Sequence, residues 1–167
     1  MTAPFAPPVG FELRLGFADP RDPALAAAFY PEGMPEDWQA NYLCLMTEAV
    51  VLDPAAVDFA ALSAACREAP RPVLGVWLGE ALPADSTRLP EPLLPWAVGG
   101  AWQPDASTQG ARVGLLAPGL SPRALRQALE DFARQAPAQP CALLLTGGAA
   151  AVPLLEQVRS MRDLLGW

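Results

Sequence analysis

Carboxylates near the ends of predicted strands are the strongest candidates for ligand binding or catalysis. Asp19 follows one predicted strand, Asp53 ends another, and Glu32 lies close to Tyr30 in a turn. Clustered carboxylates can bind a divalent cation through hard oxygen ligands, and the pair Glu32 and Asp53 has the residue types of a glycosidase. The alternative interpretation is structural, because Asp22 and Asp53 each precede a proline and a predicted helix, where aspartate is a good N-cap.

The second candidate is the run Thr146, Gly147 and Gly148, which links a nearly all-apolar predicted strand to the last predicted helix. Backbone amides at such a helix start can hold an anion. The glycine spacing of nucleotide-binding loops is absent, however, and so is the lysine of phosphate-binding loops. The same residues can form a tight turn instead, and the sequence leaves both interpretations open.

Missing residue types exclude several reaction classes. The chain has no histidine and no lysine, which excludes an imidazole base, ligand or pH switch and a Schiff-base lysine. Ser86 has neither a histidine to activate it nor the glycine-flanked elbow of a serine hydrolase. We therefore predict no catalytic residue, no bound metal and no cofactor.

The three cysteines, Cys44, Cys66 and Cys141, lie far apart in apolar stretches. No CxxC spacing is present, so the sequence carries no zinc or redox motif. Free cysteine packs as a small hydrophobe. We expect three buried thiols, with one reactive thiol as the alternative.

The net charge of −7 lies entirely in the first third of the chain. Residues 1–58 carry nine acidic residues against two arginines, whereas residues 59–167 carry nine of each. An acidic surface repels phosphate backbones, so we expect no nucleic acid partner. The acidic third is either a solvated surface or a docking face for a basic protein partner.

Hydropathy predicts a soluble, folded protein. With 52% hydrophobic residues the chain is too apolar to be disordered, yet no apolar run reaches the roughly 18 residues that a membrane span needs. Residues 1–10 lack the basic and apolar regions of a secretory signal, and we predict a flexible arm there. The expected location is cytoplasmic, with no membrane partner.

The candidate residues lie between strands and helices that alternate along one predicted α/β domain, residues 11–167. Alternation of this kind predicts a mostly parallel sheet of about six strands flanked by helices. Residues 80–110, which contain five prolines, form a long segment that we expect to be functional or disordered. The predicted strands are 11–18, 49–53, 72–79, 95–102, 111–117 and 140–148, and the predicted helices are 22–30, 36–49, 55–69, 121–136 and 152–166.

The helix predicted at 36–49 has apolar residues at the spacing of one helical face. Trp38, Tyr42, Leu45 and Ala49 recur at i, i+4, i+7 and i+11. We therefore expect this stripe to face the core.

The run Phe-Tyr-Pro-Glu-Gly at residues 29–33, followed by Trp38 and Tyr42, resembles the N-terminal pattern of the DUF72 (YecE-like) family. Members of that family are parallel α/β barrels without a settled biochemical function, so the resemblance implies a barrel but no reaction. A complete eight-stranded barrel usually has about 250 residues. With 167 residues, this chain would be an incomplete or contracted TIM barrel.

The resemblance is weakest at the strand ends, where parallel barrels bind their ligands. Gly16 matches the end of the family's first strand, but the residues after it do not. Val51 and Asp53 stand where the family has a glutamate and an asparagine, and the aromatic pair that follows in the family is absent. The resemblance therefore implies a scaffold that has lost polar groups from the family's presumed site.

We expect a non-catalytic protein that acts through protein–protein contacts or self-association, with the acidic third and the tryptophan-containing, proline-rich segment 80–110 as its working surfaces. The alternative is an enzyme, or a small-ligand or metal binder, with a carboxylate-lined pocket at the C-terminal ends of the strands. Its ligand-binding residues would be Asp19, Tyr30, Glu32, Asp53, Thr146, Gly147 and Gly148.

Overall fold

The architecture is mixed α/β. The computed structural model describes residues 5–79, 89–90, 93–96, 112–136 and 139–167. Within these ranges the strands are β1 (Glu12–Phe17), β2 (Ala49–Leu52), β3 (Leu74–Leu78), β4 (Leu93–Trp96), β5 (Val113–Leu116) and β6 (Pro140–Leu145). The helices are α1 (Pro23–Phe29), α2 (Glu36–Met46), α3 (Phe59–Glu68), α4 (Pro122–Gln135) and α5 (Ala151–Leu165), with a 3-10 turn at Gly148–Ala150. Most of the predicted segment 80–110 lies outside the described residues, as does the predicted strand 95–102 beyond Trp96.

The strands form two parallel sheets of three strands each, in the orders β1-β6-β5 and β2-β3-β4. Parallel pairing, predicted from the alternation of strands and helices, is confirmed. β6 is the central strand of its sheet, and its residues from Cys141 to Leu145 are all buried. Burial on both faces is what its continuous apolar run predicts.

The two sheets meet where β1 lies beside β2. The backbone amide of Glu48 donates to the carbonyl of Leu15 at 2.8 Å, and a Cβ on Gly16 would lie 2.1 Å from the carbonyl oxygen of Ala49. Only glycine allows this close approach. Because β1 and β2 meet without forming a ladder, the predicted single sheet of about six strands is not confirmed. The described strands do not close into a barrel.

Two hydrophobic clusters cover the two faces of the sheets. One lies between the sheets, and a larger one lies between the strands and the helices, where Leu15, Phe17 and Phe132 are almost fully buried. In β2 and β6, alternate residues supply the two clusters, as the pleat of a strand requires. The cluster between the sheets contains Ala49, Val51, Leu74, Val76, Leu94, Val113, Ala142 and Leu144.

Two helices begin at local capping signals. Asp22 caps α1, because its Oδ1 accepts hydrogen bonds from the amides of Ala24 (2.8 Å) and Leu25 (2.9 Å). Ser121 caps α4 by accepting a hydrogen bond from the amide of Ala124 at 3.3 Å. A proline follows each cap at the start of the helix, where its missing N–H costs nothing. The predicted cap at Asp22 is confirmed.

The inner face of α2 differs from the sequence prediction. Leu43 and Cys44 are buried, whereas Trp38 is 63% exposed and Leu45 is 47% exposed. The helix also ends before Ala49, which begins β2. Of the predicted stripe, Tyr42 packs against the core, whereas Trp38 and Leu45 do not. α2 has apolar residues on two opposite faces, and periodicity alone does not identify which face meets the core.

An ion pair joins α5 to the starts of β1 and β2. The Glu48 carboxylate accepts two hydrogen bonds from Arg162, at 2.7 and 3.1 Å, and one from the amide of Leu15 at 3.1 Å. Arg162 also donates to the carbonyl of Leu13 at 3.1 Å. Burial alone would raise the pKa of Glu48, but Arg162 and the Leu15 amide together outweigh burial and lower it. The pair anchors the edge of the sheets opposite the predicted site.

Candidate functional site

A pocket of about 240 Å³ opens at the C-terminal ends of β1, β2 and β3. Parallel α/β proteins bind their ligands at this edge. Asp19, Arg21, Asp53 and Asp58 supply its charged groups. The structure therefore brings together Asp19 and Asp53 of the predicted site. Apolar residues of the lining include Val51, Phe59, Leu62 and Leu78.

Asp53 is held by two hydrogen-bond donors. Its Oδ1 accepts from the amide of Ala55 at 2.9 Å, and its Oδ2 accepts from the Arg21 guanidinium at 3.0 Å. The amide, and then the guanidinium, lower the pKa of Asp53, so the carboxylate is ionised at neutral pH. The predicted role of Asp53 as a helix cap is wrong. α3 begins only at Phe59, and Asp53 closes a turn with Ala55 instead.

The other charged groups make the pocket acidic. Asp19 accepts a hydrogen bond from the backbone amide of Arg21 at 3.2 Å, and Asp58 precedes α3 without accepting a capping hydrogen bond from it. Three carboxylates therefore share the pocket with one guanidinium, which favours a cationic ligand. In the described part of the chain, no group of three or more His, Cys, Asp or Glu side chains is arranged to hold a metal ion. Sequence reasoning missed Arg21 and Asp58 because no local signal links either residue to Asp53.

Tyr30 lines a neighbouring cavity of about 300 Å³ between α1, α2 and α3. Arg21 and Asp58 line both this cavity and the acidic pocket. Burial, with a smaller contribution from the charge of Asp58, raises the pKa of Tyr30 to about 12. The hydroxyl therefore stays protonated at neutral pH and is not a general base. Its ring centroid lies 5.0 Å from that of Phe29 and 5.9 Å from that of Tyr42, as expected for a packing residue.

Glu32 lines neither of these two pockets. It is exposed and borders an open cavity together with Tyr30 and Met34. The amide of Met34 donates to the carbonyl of Pro31 at 3.1 Å, so Glu32 lies within a turn. The structure does not bring Glu32 into the pocket of Asp53, and the predicted carboxylate pair is not formed.

Thr146, Gly147 and Gly148 line none of these three pockets. The Thr146 hydroxyl donates to the carbonyl of Leu116 at 3.3 Å. The two glycines have φ angles of +106° and +58°, and a Cβ on Gly147 would lie 2.7 Å from Pro118. These contacts describe a tight turn, and anion binding at this turn stays a prediction.

The second candidate site is the outer face of α2, which consists of Trp38, Asn41 and Leu45. All three residues are exposed, and their spacing places them on one side of the helix. Asp37 is exposed in the first turn. At the other end of the helix, the exposed Arg71 donates to the carbonyl of Leu45 at 2.9 Å. The outer face of α2 is therefore largely apolar along its length, acidic near its N-terminal end and basic at its C-terminal end.

Comparisons of the chain with protein-family models, with curated proteins and with solved structures give no match. They do not bear on the DUF72 resemblance, which stays a prediction. None of the helices in the described ranges combines the length and the apolarity that crossing a bilayer requires. Among the described residues, the acidic pocket and the outer face of α2 are two surfaces that support a functional proposal.

Proposed function

We propose that this chain is a non-catalytic α/β protein that self-associates, and that the outer face of α2 is the contact surface. Trp38 carries the proposal, because it is 63% exposed on a helix whose opposite face is buried. Removing an indole ring from water is favourable, and tryptophan is among the residues most enriched at interface hot spots.

A second copy of the chain fits the outer face of α2 because this face is self-complementary. Two α2 helices packed antiparallel about a twofold axis would bring Trp38 of each copy onto Leu45 of the other. The same packing would bring Asp37 of one copy close to Arg71 of the other, so opposite charges would meet at both ends of the contact. Asn41 would then lie near the axis, where two side-chain amides can hydrogen-bond to each other.

The dimer should be weak. A standard stable interface buries about 800 Å² on each partner, and a helix as short as α2 is only about 16 Å long. The net charge of −7 on each copy also opposes association. We therefore expect a dissociation constant in the micromolar range or weaker.

Sedimentation velocity over a range of concentrations tests this proposal on the purified protein. Wild type should shift from monomer to dimer as concentration rises, and Trp38→Ala should remain monomeric. Val57→Ala is the matched control, because Val57 is also an exposed apolar residue but lies outside α2. A monomer at every concentration, or equal association of wild type and Trp38→Ala, would contradict the proposal.

Charge reversal tests the antiparallel arrangement itself. Asp37→Arg and Arg71→Asp should each weaken the dimer, because each places like charges opposite one another. The double variant restores opposite charges and should recover the affinity of wild type. Additive weakening in the double variant would exclude antiparallel packing of α2.

A second candidate function is the binding of a small cationic ligand in the acidic pocket. Its support is the presence of Asp19, Asp53 and Asp58 around one arginine at the ligand-binding edge of the strands.

Glucosamine and glucose differ in one amino group, so calorimetric titration with both sugars measures a preference for positive charge. We expect glucosamine to bind more tightly, and Asp19→Asn to remove the difference while the exposed control Asp163→Asn preserves it. Equal binding of the two sugars, or no binding of either, would exclude this function.

We also propose that the fold is a contracted relative of the parallel barrels, as the DUF72 resemblance implies. The order of neighbours supports this relationship, because β1 lies between β6 and β2, as the first strand of a barrel lies between the last strand and the second. The cluster between the sheets occupies the position of a barrel interior. An experimental structure in which β4 and β5 belong to one continuous, barrel-like circuit of strands would support the relationship. A structure in which the two sheets form separate layers would contradict it.

A further inference from the structure

The thiols of Cys44 and Cys66 are in direct contact in the protein interior. Cys44 lies on the inner face of α2 and Cys66 on α3, with their Sγ atoms 3.4 Å apart. Both are free thiols, and the residues are 4% and 5% exposed. A disulfide bond is about 2.05 Å long. Rotation about the two Cα–Cβ bonds and a small approach of the helices would therefore bring the sulfurs to bonding distance.

The contact makes the two sulfurs chemically unequal. The hydrogen bond with Cys66 lowers the pKa of Cys44, against a smaller effect of burial. The same hydrogen bond, together with burial, raises the pKa of Cys66. Because the thiolate is the nucleophilic form of cysteine, the lowered pKa of Cys44 favours Cys44 as the attacking sulfur and Cys66 as the resolving one.

A cavity lies about one helical turn from this pair. The cavity of about 300 Å³ between α1, α2 and α3 is lined by Ala40 and Leu62. These two residues precede Cys44 and Cys66 by one helical turn and lie on the same faces of their helices. Hydrogen peroxide is close to water in size, so it needs only a small local opening between this cavity and the sulfurs, whereas a tripeptide disulfide or a protein thiol needs a much larger one.

We propose that Cys44 and Cys66 form a peroxide-responsive dithiol that closes to a disulfide between α2 and α3. The Cys44 sulfur attacks one peroxide oxygen, the O–O bond breaks, and a sulfenic acid and one water form. The Cys66 sulfur then attacks the Cys44 sulfur, the S–O bond breaks, and a second water leaves. One peroxide takes two electrons from the two thiols, and both thiol protons end in water. A thiol reductant reverses the reaction by exchange.

Peroxide treatment of the folded, full-length protein tests the proposal. Thiols are then counted in denaturant, and peptides are mapped without reduction. Wild type should fall from its three free thiols to one, with Cys44 linked to Cys66, and dithiothreitol should restore all three. Cys141→Ala is the matched control, because it removes a buried thiol outside the pair and should still form the link. Cys44→Ala and Cys66→Ala should form no intramolecular link.

Thermal unfolding gives a second readout. The cysteines are 22 positions apart, and a disulfide across such a loop should raise Tm by about 5 °C or more. The increase should vanish with dithiothreitol and be absent in Cys66→Ala, whose fold is checked by circular dichroism. Three results would each overturn the proposal: wild type retains three thiols after millimolar peroxide, Cys44 becomes a sulfinic acid without a cross-link, or the link runs to Cys141.

Discussion

Replacing Glu48 by glutamine tests how strongly its ion pair with Arg162 holds α5 against the starts of β1 and β2. The Glu48 carboxylate accepts two hydrogen bonds from Arg162 and one from the amide of Leu15. Glutamine preserves the shape but removes the charge, and its amide nitrogen would face the donors of Arg162. Arg162 would keep its hydrogen bond to the carbonyl of Leu13.

The expected loss in the free energy of unfolding is about 2 kcal/mol at neutral pH. The side chains of Arg162 and Glu48 are 16% and 22% exposed. They therefore lie between exposed ion pairs, which contribute about 0–1 kcal/mol, and buried pairs, whose disruption costs about 3–5 kcal/mol. A loss of this size corresponds to a fall in Tm of roughly 4–8 °C for a chain of this length.

The effect should depend on pH with a defined sign. Although burial opposes ionisation, Arg162 and the amide of Leu15 leave the pKa of Glu48 lowered in the folded chain. The unfolded value is about 4.3, so the ionised carboxylate stabilises the fold above that pH. The contribution is lost as pH falls through the lower pKa of the folded state. Since glutamine does not titrate, the difference between wild type and variant should shrink on acidification.

Urea unfolding followed by tryptophan fluorescence, at neutral and at acidic pH, measures both effects. Glu156→Gln is the matched control, because Glu156 pairs with Arg159 on the same helix but its side chain is 69% exposed. The control should change stability by less than about 0.5 kcal/mol. Equal losses for the two variants, or a difference for Glu48→Gln that grows on acidification, would refute the reasoning.

Two further predictions concern the approach of the sheets and the aromatic cluster. Gly16→Ala should destabilise the protein by on the order of 3 kcal/mol or more, because its Cβ would lie 2.1 Å from the carbonyl oxygen of Ala49. An unchanged Tm would mean that β1 and β2 do not approach as described. In an alkaline titration followed by ultraviolet absorbance, Tyr30 should ionise with a pKa of about 12, and Tyr30→Phe should remove that component. A wild-type titration with no phenol ionising above about 11, against an ordinary value of about 10, would contradict the buried environment of Tyr30.

Local signals in the sequence were enough to predict most helices and strands. The caps at Asp22 and Ser121 depend on a side chain and the amides that follow it, so neighbours along the chain determine them. The strand around Leu143 was predictable for a related reason, because a continuous apolar run can be satisfied only by burial on both faces. Parallel pairing followed from the alternation of these elements.

Features that depend on the relative placement of distant segments could not be predicted. Arg21 and Asp53 are 32 positions apart, and Cys44 and Cys66 are 22 positions apart, with no motif to link either pair. The sequence also did not show which face of α2 is buried. Leu43 and Trp38 lie on opposite faces of this helix, and packing against α3 and the strands, rather than helical period, decides which one is buried.

The ladder between β1 and β6 has a consequence for biosynthesis. Glu12 pairs with Pro140, and Phe17 pairs with Leu145, so β1 leaves the ribosome well before the strand with which it pairs. At the usual rate of translation, β1 waits on the order of ten seconds for this neighbour. During that interval its backbone donors and acceptors are open to any extended chain nearby. The unpaired edge of β1 is therefore a greater aggregation hazard during synthesis than in the finished fold.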